Sequence, residues 1–541
     1  MKKYLGIYLL IAVSIFLRLI FINKPDGLWN DEYVSYMISA IPFSDGFINR
    51  IQSQCHMPLY YLYLKFVMAI FGQSDLVLRL SSVFTGILSV IAMYFVGRER
   101  DEKTGLLCAG FTAISSFLIY YSQEVRMYSI LFLISALTLL YTIKCIKNPD
   151  KKNFIFCILF NFLVLFTHTI GFVFVFFNLI FLSVNLFKQY KKIIIVLWAT
   201  IVLSGILLSP LVVKILTTQT FSQWWGHFSI SKIGFLFTDY FSPILTNLTN
   251  APDKFLYAPK LAVFMLIPTL IAIFCIIKSL IKNKINIGLF SVACGVIFVL
   301  TVASITGKLV FITKYSIEIY PILIFLACSG ASSINNKILR NSLIILYCLI
   351  SVGYILIAPY SAPKMRRAEG HKIVTDAFEQ MDLKKGDIIL LEYYDKERFE
   401  KYFDFSNYRV VSINKGNFPQ YLSADTSYND VYKNGKVLYK NMFSSNNNAY
   451  FEGMLKYEIF DKLSVGQSVV MVVLNSVSPY SPQALKAVTE NETVYNKQPL
   501  LFLVFSYIKN ESFIYLEKSL VITMFQTKGN WAVIKFTKLN N

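Results

Sequence analysis

The sequence specifies a multi-span α-helical membrane protein with a C-terminal soluble α/β or α+β domain. Composition gives the first reason: 55% of the 541 residues are hydrophobic and only 16% are charged, well below the roughly 25% charged residues of soluble domains. Second, apolar runs recur through the first 360 residues, many near the ~20 residues that cross a ~30 Å hydrocarbon core. Third, the charge is segregated. Of a net charge of +20, residues 361–541 hold 23 basic and 19 acidic side chains, leaving 29 and 13 for residues 1–360. Those basic residues stand in short clusters between apolar runs, the mark of cytoplasmic loops rather than of a nucleic-acid groove, so no nucleic-acid partner is expected.

The spans follow in order. The first begins near Tyr4 behind Met1-Lys2-Lys3; it is long and lacks a small-residue cleavage site, so it reads as a retained anchor with its N-terminus inside. Others begin near Leu78, Leu106, Met127, Phe154, Ile170, Ile193, Leu261, Ile287, Ile317 and Asn341, about 11 transmembrane helices in all. Clusters at Arg98/Arg100/Lys103, Lys144/Lys147/Lys151/Lys152, Lys188/Lys191/Lys192, Lys278/Lys282/Lys284 and Lys337/Arg340 fall after every second span, on the side of Lys2 and Lys3. An odd count then puts the residues after Pro359 outside the cytoplasmic membrane. Pro58–Gly72 is too short to cross and carries Lys65; it reads as a helix lying in the outer interface, one of two or three juxtamembrane helices between Phe21 and Gln73. A second outer segment runs from about Lys214 to Lys260. Its Trp224 and Trp225 read equally well as an aromatic belt.

From Ser361 the apolar runs shorten. Residues 366–381 and 395–404 pattern as helices, while Asp387–Leu391, Arg409–Ile413, Ser468–Leu474, Leu501–Ile508, Phe513–Met524 and Trp531–Thr537 have the β-branched and aromatic content of strands. The division expected is a membrane domain at 1–360 and an extracytoplasmic domain at 361–541.

Seven of the eight cysteines lie in or beside apolar runs, and Cys55 alone sits in an outer loop, so a disulfide framework is not expected. The sequence lacks CxxC, HExxH and a P-loop, which argues against a zincin or an ATP-driven pump. Of four histidines, His56, His168 and His227 fall at the outer face and His371 in the outer domain. Each singly reads as an interfacial helix cap; three at one face suggest a shared site.

Four constellations collect on that outer side. Asp31 and Glu32 in WNDE (29–32) follow the first span, where they either cap a juxtamembrane helix or serve in chemistry. Glu124 and Arg126 in YSQEVRMY (121–128) occupy a tight turn between two spans, and charges there are costly unless paired or used. His56 opens HMPLYY, and Lys314-Tyr315 stands near Lys308. Arg18 and Arg79 lie at the outer ends of apolar runs.

In these residues the chain resembles the integral-membrane glycosyltransferases of the C superfold. The likeness is to the bacterial branch that includes protein O-mannosyltransferases and the lipid A aminoarabinose transferase. The pieces that match are Arg18, WNDE at 29–32, HMPLYYLYLKFVMAIFG followed by Arg79-Leu80-Ser81, SQEVRMYS at 122–129, Thr167-His168, and Lys314-Tyr315 with Pro321. The resemblance covers roughly residues 4–330. Two departures stand out: Met57 where the family often has proline, and Lys314 where it often has arginine, which keeps the charge but loses bidentate phosphate geometry.

The resemblance implies transfer of a sugar from a polyprenyl-phosphate donor to an acceptor hydroxyl on a glycan, lipid or protein at the extracytoplasmic face of the membrane. A carboxylate can take the acceptor proton as the new bond forms, an effect worth about 10²–10⁴-fold; Asp31 is the first candidate and Glu32 its support. Cations in a poorly solvated site stabilise the leaving phosphate, a role expected for Arg126, then Lys314 and Arg79, with Tyr315 beside them. His56, Glu124, Tyr128 and His168 are expected to contact substrate. No cofactor is certain. His56 with His227 and a carboxylate would suit a divalent metal ion, as the aminoarabinose transferase relatives imply. The alternatives are a secondary transporter or lipid-linked sugar flippase, and a receptor anchored by its spans. Charges gathered at one face, with no paired broken helices visible in the two halves, argue against transport.

Overall fold

The computed structural model describes residues 5–20, 22–23, 27–53, 56–217, 229–242, 264, 266–281, 283–306, 311–357, 370–392, 396–413, 463–474, 520–528 and 531–538. Cys55, Trp224, Trp225, His227, Lys308 and the expected strand Leu501–Ile508 lie outside these residues. The chain divides into two compact units: Met1–Asn23 with Val34–Met365, and Lys24–Tyr33 with Arg366–Asn541.

The first unit is helical and belongs to a multi-pass membrane protein. Its helices are α1 (Leu5–Leu19), α2 (Asn30–Ala40, begun in the second unit), α3 (Phe47–Ser53), α4 (Pro58–Phe71), α5 (Asp75–Arg98), α6 (Glu102–Ile114), α7 (Ser116–Ser122), α8 (Tyr128–Lys147) and α9 (Lys151–Thr167). There follow α10 (Gly171–Leu207), α11 (Ser209–Thr217), α12 (Ser231–Phe241), α13 (Ile267–Leu280), α14 (Lys284–Ile305), α15 (Tyr320–Ser332) and α16 (Lys337–Ile357). Among the described residues, five helical segments are long and apolar enough to cross a membrane alone, and α6 with α7 makes a sixth, bent by 60°. α10 covers two of the expected spans; they meet at Tyr190, whose φ of −126° breaks the helix inside the basic cluster Lys188/Lys191/Lys192. α4 has 14 residues, about 21 Å of helix, short of a ~30 Å core.

The bend between α6 and α7 leaves the last carbonyls of α6 without intrahelical donors. Arg18, fully buried at the end of α1, supplies them. Its Nη1 donates to Ala113 O (3.0 Å) and Ser14 Oγ (2.7 Å), its Nη2 to Thr112 O (3.0 Å) and its Nε to Ser122 Oγ (3.2 Å). In return Gln123 Nε2 donates to Arg18 O (2.9 Å) in α1 and to Ile20 O (2.8 Å) just past its end. α5 closes the cluster at Gly86, where a Cβ would stand 2.3 Å from Ser122 Oγ and 2.9 Å from Arg18 Nε.

The second unit is built on a mixed sheet of β1 (Ile388–Glu392), β2 (Arg409–Ile413), β3 (Ser468–Leu474), β4 (Leu520–Lys528) and β5 (Trp531–Lys538), in the order β2-β1-β3-β5-β4. β1 runs parallel to β2 and β3, while β5 runs antiparallel to β3 and β4. Alternate residues Ile389 and Leu391, Val470 and Val472 pack with Val374, Ala377 and Phe378 of α17 (His371–Glu379) in one core. The buried Asp387 carboxylate ties β1 to β3, accepting from Ser468 N–H (2.8 Å) and Lys384 N–H (2.9 Å). The helix expected at 395–404 is instead a 3₁₀ turn at Lys396–Arg398 followed by turns. From Phe403 the chain is extended, and Phe403 and Phe405, two apart, both pack on Phe378. Of the expected strand Phe513–Met524, residues 513–519 lie outside the described residues, and β4 is described from Leu520.

Replacing Arg18 with Met takes the donor from two buried carbonyls, each costing about 1–3 kcal/mol. The purified Arg18→Met protein should unfold at a clearly lower temperature in detergent. An unchanged transition would mean the guanidinium is not what holds the bend.

Candidate functional site

The Arg18–Gln123 lattice fixes where the next residues go. After Gln123 the chain makes a tight turn in which Arg126 N–H donates to Glu124 O (2.8 Å), and Ser82 Oγ of α5 donates to the same carbonyl (2.7 Å). The turn delivers Arg126 and Tyr128 to the head of α8. Both are buried, and Arg126 Nη1 lies 3.5 Å from Ser35 Oγ of α2.

A second irregular segment meets them. Between Ile312 and Tyr320 the chain forms a 3₁₀ helix, Thr313–Ile319, broken at Ser316. α12 holds it in place. Thr313 Oγ1 donates to Asp239 Oδ2 (2.6 Å), Tyr240 OH pairs with Ser316 Oγ (2.8 Å), and the Tyr240 and Tyr320 rings stack with centroids 4.2 Å apart. Held this way, Lys314 Nζ stands 5.6 Å from the Tyr128 ring and 5.7 Å from that of Tyr315, and Glu318 points inward. Its Oε1 lies 2.6 Å from Nδ1 of His168, the C-cap of α9. The His168 ring is 6.4 Å from Tyr128 and 6.1 Å from Tyr315.

His56 completes the group. Its Nδ1 meets Tyr61 OH, and the two rings stack. Loss of water around the ring, then the positive fields of Arg126, His168 and Lys314, hold its pKa well below the ordinary value. His56 therefore stays neutral at ordinary pH. The membrane unit thus brings together His56, Glu124, Arg126, Tyr128, His168, Lys314 and Tyr315. Two cations, two imidazoles and buried carboxylates share one region at the heads of α8 and α15. Arg79 is buried too, donating from Nη1 to Ile22 O (3.2 Å).

Two buried carboxylates in this region did not figure among the expected site residues. Glu318 is fully buried and Asp239 nearly so. Each interrupts an apolar run (SIEIYPILIF, FLFTDYF), and a charge inside such a run is itself the signal that could have found them.

Asp31 and Glu32 lie in the second unit and form the first turn of α2. Glu32 is fully buried, and its Oε2 accepts from Trp29 N–H (3.4 Å), the third helical residue reaching back to the residue before the helix. Asp31 is half-buried. The WNDE segment is bound to residues far along the chain. Leu28 N–H donates to Tyr402 OH (2.8 Å), His371 N–H donates to Leu28 O (3.1 Å), Tyr33 OH donates to Glu397 O (2.5 Å), and Arg398 donates to Asn30 Oδ1. Gly27 permits this at a φ of 86°, where a Cβ would stand 2.5 Å from Lys372 N.

Of the pair expected to hold a metal, His227 lies outside the described residues, and among the described residues no group of three metal-ligating side chains forms.

Residues 55–213 match the family model of the dolichyl-phosphate-mannose-protein mannosyltransferases, a segment that contains His56, Arg79, SQEVRMYS and His168. ArnT from Cupriavidus metallidurans, solved bound to undecaprenyl phosphate, aligns over 98% of this chain and 97% of its own, with a TM-score of 0.50 at 11% identity. The chain shares the fold of that structure. A second solved structure, the Archaeoglobus fulgidus oligosaccharyltransferase in complex with zinc and sulfate, aligns over 98% of this chain and 88% of its own, with a TM-score of 0.52 at 12% identity. No curated protein matches the sequence. The mannosyltransferase-like and ArnT-like resemblance carried by HMPLYY and SQEVRMYS is thereby confirmed.

In the second unit, burial and then Arg398 push the His371 pKa from 6.5 down to about 3, against the opposing pull of Glu32. The unfolded chain takes up that proton near pH 6.5 and the folded unit does not. Stability is therefore full above 6.5 and falls, by about 1.4 kcal/mol per pH unit, as pH drops toward 3. Amide exchange at β1 and β3 in the full-length protein, corrected for its intrinsic pH dependence, should show this loss of protection. The loss should be much smaller in His371→Phe; an identical pH dependence would exclude His371 as its source.

Proposed function

We propose that the chain transfers a sugar from a polyprenyl-phosphate donor to an acceptor hydroxyl at the extracytoplasmic face of the cytoplasmic membrane. The observation that carries this reading is the meeting of Arg126 and Lys314 with His56 and His168 at the heads of α8 and α15. A neutral His56 beside two cations adds one N–H without a carboxylate's charge, a setting suited to an anionic group. The ArnT structure, solved with undecaprenyl phosphate, and the mannosyltransferase match both support a lipid-linked phosphate donor.

In this mechanism Arg126 and Lys314 bind the donor phosphate and stabilise it as it leaves. Asp31 takes the proton of the acceptor hydroxyl as that oxygen attacks the anomeric carbon, and a single displacement inverts the centre. Glu32, committed to the start of α2, supports Asp31 without reacting. The His168–Glu318 pair holds the Tyr128 and Tyr315 edge of the phosphate site. Eleven crossings, with the domain after Pro359 outside, put Asp31 and Arg126 on one side of the membrane. Glycan, lipid and protein hydroxyls all fit this scheme as acceptors.

Transfer from radiolabelled polyprenyl-phosphate sugars by the purified protein tests the reading directly. Asp31→Asn should lower turnover by about 10²–10⁴-fold with unchanged folding; activity within a few-fold of the parent would remove Asp31 from the chemistry. Arg126→Ala should weaken donor binding and turnover together, with Lys314→Ala showing a smaller loss of the same kind. Uptake into vesicles without transfer would favour a transporter instead. A cysteine placed at the exposed Ser406 should react with a membrane-impermeant thiol reagent in intact cells once any outer barrier is opened. Labelling only after the cytoplasmic membrane is broken would reverse the orientation.

A further inference from the structure

The opposite end of the same helices carries a second cluster of cations that the proposed reaction does not use. α15 starts at the candidate site with Tyr320 and ends at Ser332, about 18 Å further along its axis at 1.5 Å per residue. At that end Arg100 Nη1 donates to Ser329 O (2.8 Å) and its Nη2 to Ser333 Oγ (2.7 Å), while Lys103 Nζ donates to Ser332 O (3.2 Å). Arg340 Nη1 reaches Ile334 O at 3.4 Å. The Arg340 Nε is buried and has no hydrogen-bond partner among the described residues.

Capping of the α15 C-terminus accounts for Arg100 and Lys103, because cations are favourable there. It does not account for Arg340. That residue sits in the first turn of α16, the end of a helix where a positive charge is unfavourable. Lys103 stands likewise in the first turn of α6, in the positive fields of Arg340 and Arg100 and the negative field of Asp101. The Asp101 carboxylate is already engaged, 3.4 Å from Arg100 Nε. Among the described residues three cations thus face one acid, an excess of positive charge that an anion would balance.

Beside it runs an apolar groove of about 240 Å³ between α1, α6, α13, α15 and α16. Leu10, Leu107, Ile271, Leu343 and Tyr347 line it, and Arg340 is its charged residue. A soluble anion has no use for such a groove, and a neutral lipid has none for the cations. An amphiphile with a phosphate head and a hydrocarbon tail satisfies both. We infer that the chain binds an anionic phospholipid here, its phosphate held by Arg340, Lys103 and Arg100 and an acyl chain lying in the groove. The site is separate from the candidate catalytic region and lies on the side of the basic loops, where anionic headgroups attract clustered lysine and arginine.

Native mass spectrometry of the delipidated full-length protein tests this. The protein is supplied with phosphatidylglycerol, with phosphatidylcholine of the same acyl chains, or with inorganic phosphate. Phosphatidylglycerol should be retained in preference to phosphatidylcholine, and inorganic phosphate should not displace it. Arg340→Gln and Lys103→Gln should each lower its retention about fivefold, whereas Arg126→Ala should not. Leu107→Trp keeps the cations and fills the groove, and should lose the lipid as well. It also decides the matter if Arg340→Gln fails to fold. Equal retention of the two lipids, displacement by phosphate, or binding indifferent to both the Arg340 and Leu107 changes would overturn the site.

Discussion

The membrane unit depends on one buried guanidinium. Arg18 costs much to place inside a bundle, and it is stable there because every donor it directs at the bend finds an oxygen. The bend exists because α6 stops at Ser115 and α7 restarts at an angle of 60°. Without the bend the chain would continue straight from Ile114 as a single span. With it, Ser122 and Gln123 come back onto α1, and the turn from Glu124 to Met127 is pinned before α8 begins. Arg126 and Tyr128 owe their positions to a residue more than a hundred places earlier in the chain.

The same economy appears on the other side of the site. Lys314, Tyr315 and Glu318 sit on seven residues of 3₁₀ helix rather than on a regular span. Such a segment exposes its backbone groups, and the Asp239 carboxyl and Tyr240 hydroxyl of α12 occupy its polar side chains. Irregular backbone at membrane depth is tolerated where protein surrounds it, and both irregular segments here are mostly buried, with Lys314 and Tyr315 partly exposed. The site residues are thus concentrated where helices are interrupted, and the interruptions are the costliest features of the unit.

Much of this was legible in the sequence. The apolar runs gave the helices, and the basic cluster at Lys188/Lys191/Lys192 marked a turn that the structure realises as a break at Tyr190 without a loop. His56, Arg126, His168 and Lys314 stood out as polar residues bordering apolar runs, and the fold brings them together. Glu318 and Asp239 were less visible because the eye takes an acid at a span's edge for a solvated end. Arg18 was visible as a residue but not as a role: its partners are backbone carbonyls, which no sequence displays. The allegiance of WNDE to the C-terminal unit was hidden for a similar reason. Leu28 and Asn30 bind Tyr402, His371 and Arg398, contacts across more than three hundred residues that leave no local pattern. The helix expected at 395–404 gives way to turns and then to extended chain, where Phe403 and Phe405, two apart, meet the same core.

That allegiance of residues 24–33 also fixes an order of events in synthesis. The segment bearing Asp31 and Glu32 leaves the ribosome before Glu397, Arg398 and Tyr402, which bind it and follow some 365 residues later. At about 5–20 residues per second, that interval lasts on the order of tens of seconds. Until then the first turn of α2 lacks those partners, and Glu32 lacks the enclosure in which it is buried. The acidic pair therefore waits long after its own synthesis for the contacts that hold it. A chain truncated before Lys396 would carry every expected site residue and still lack the contacts that hold the acidic pair in place.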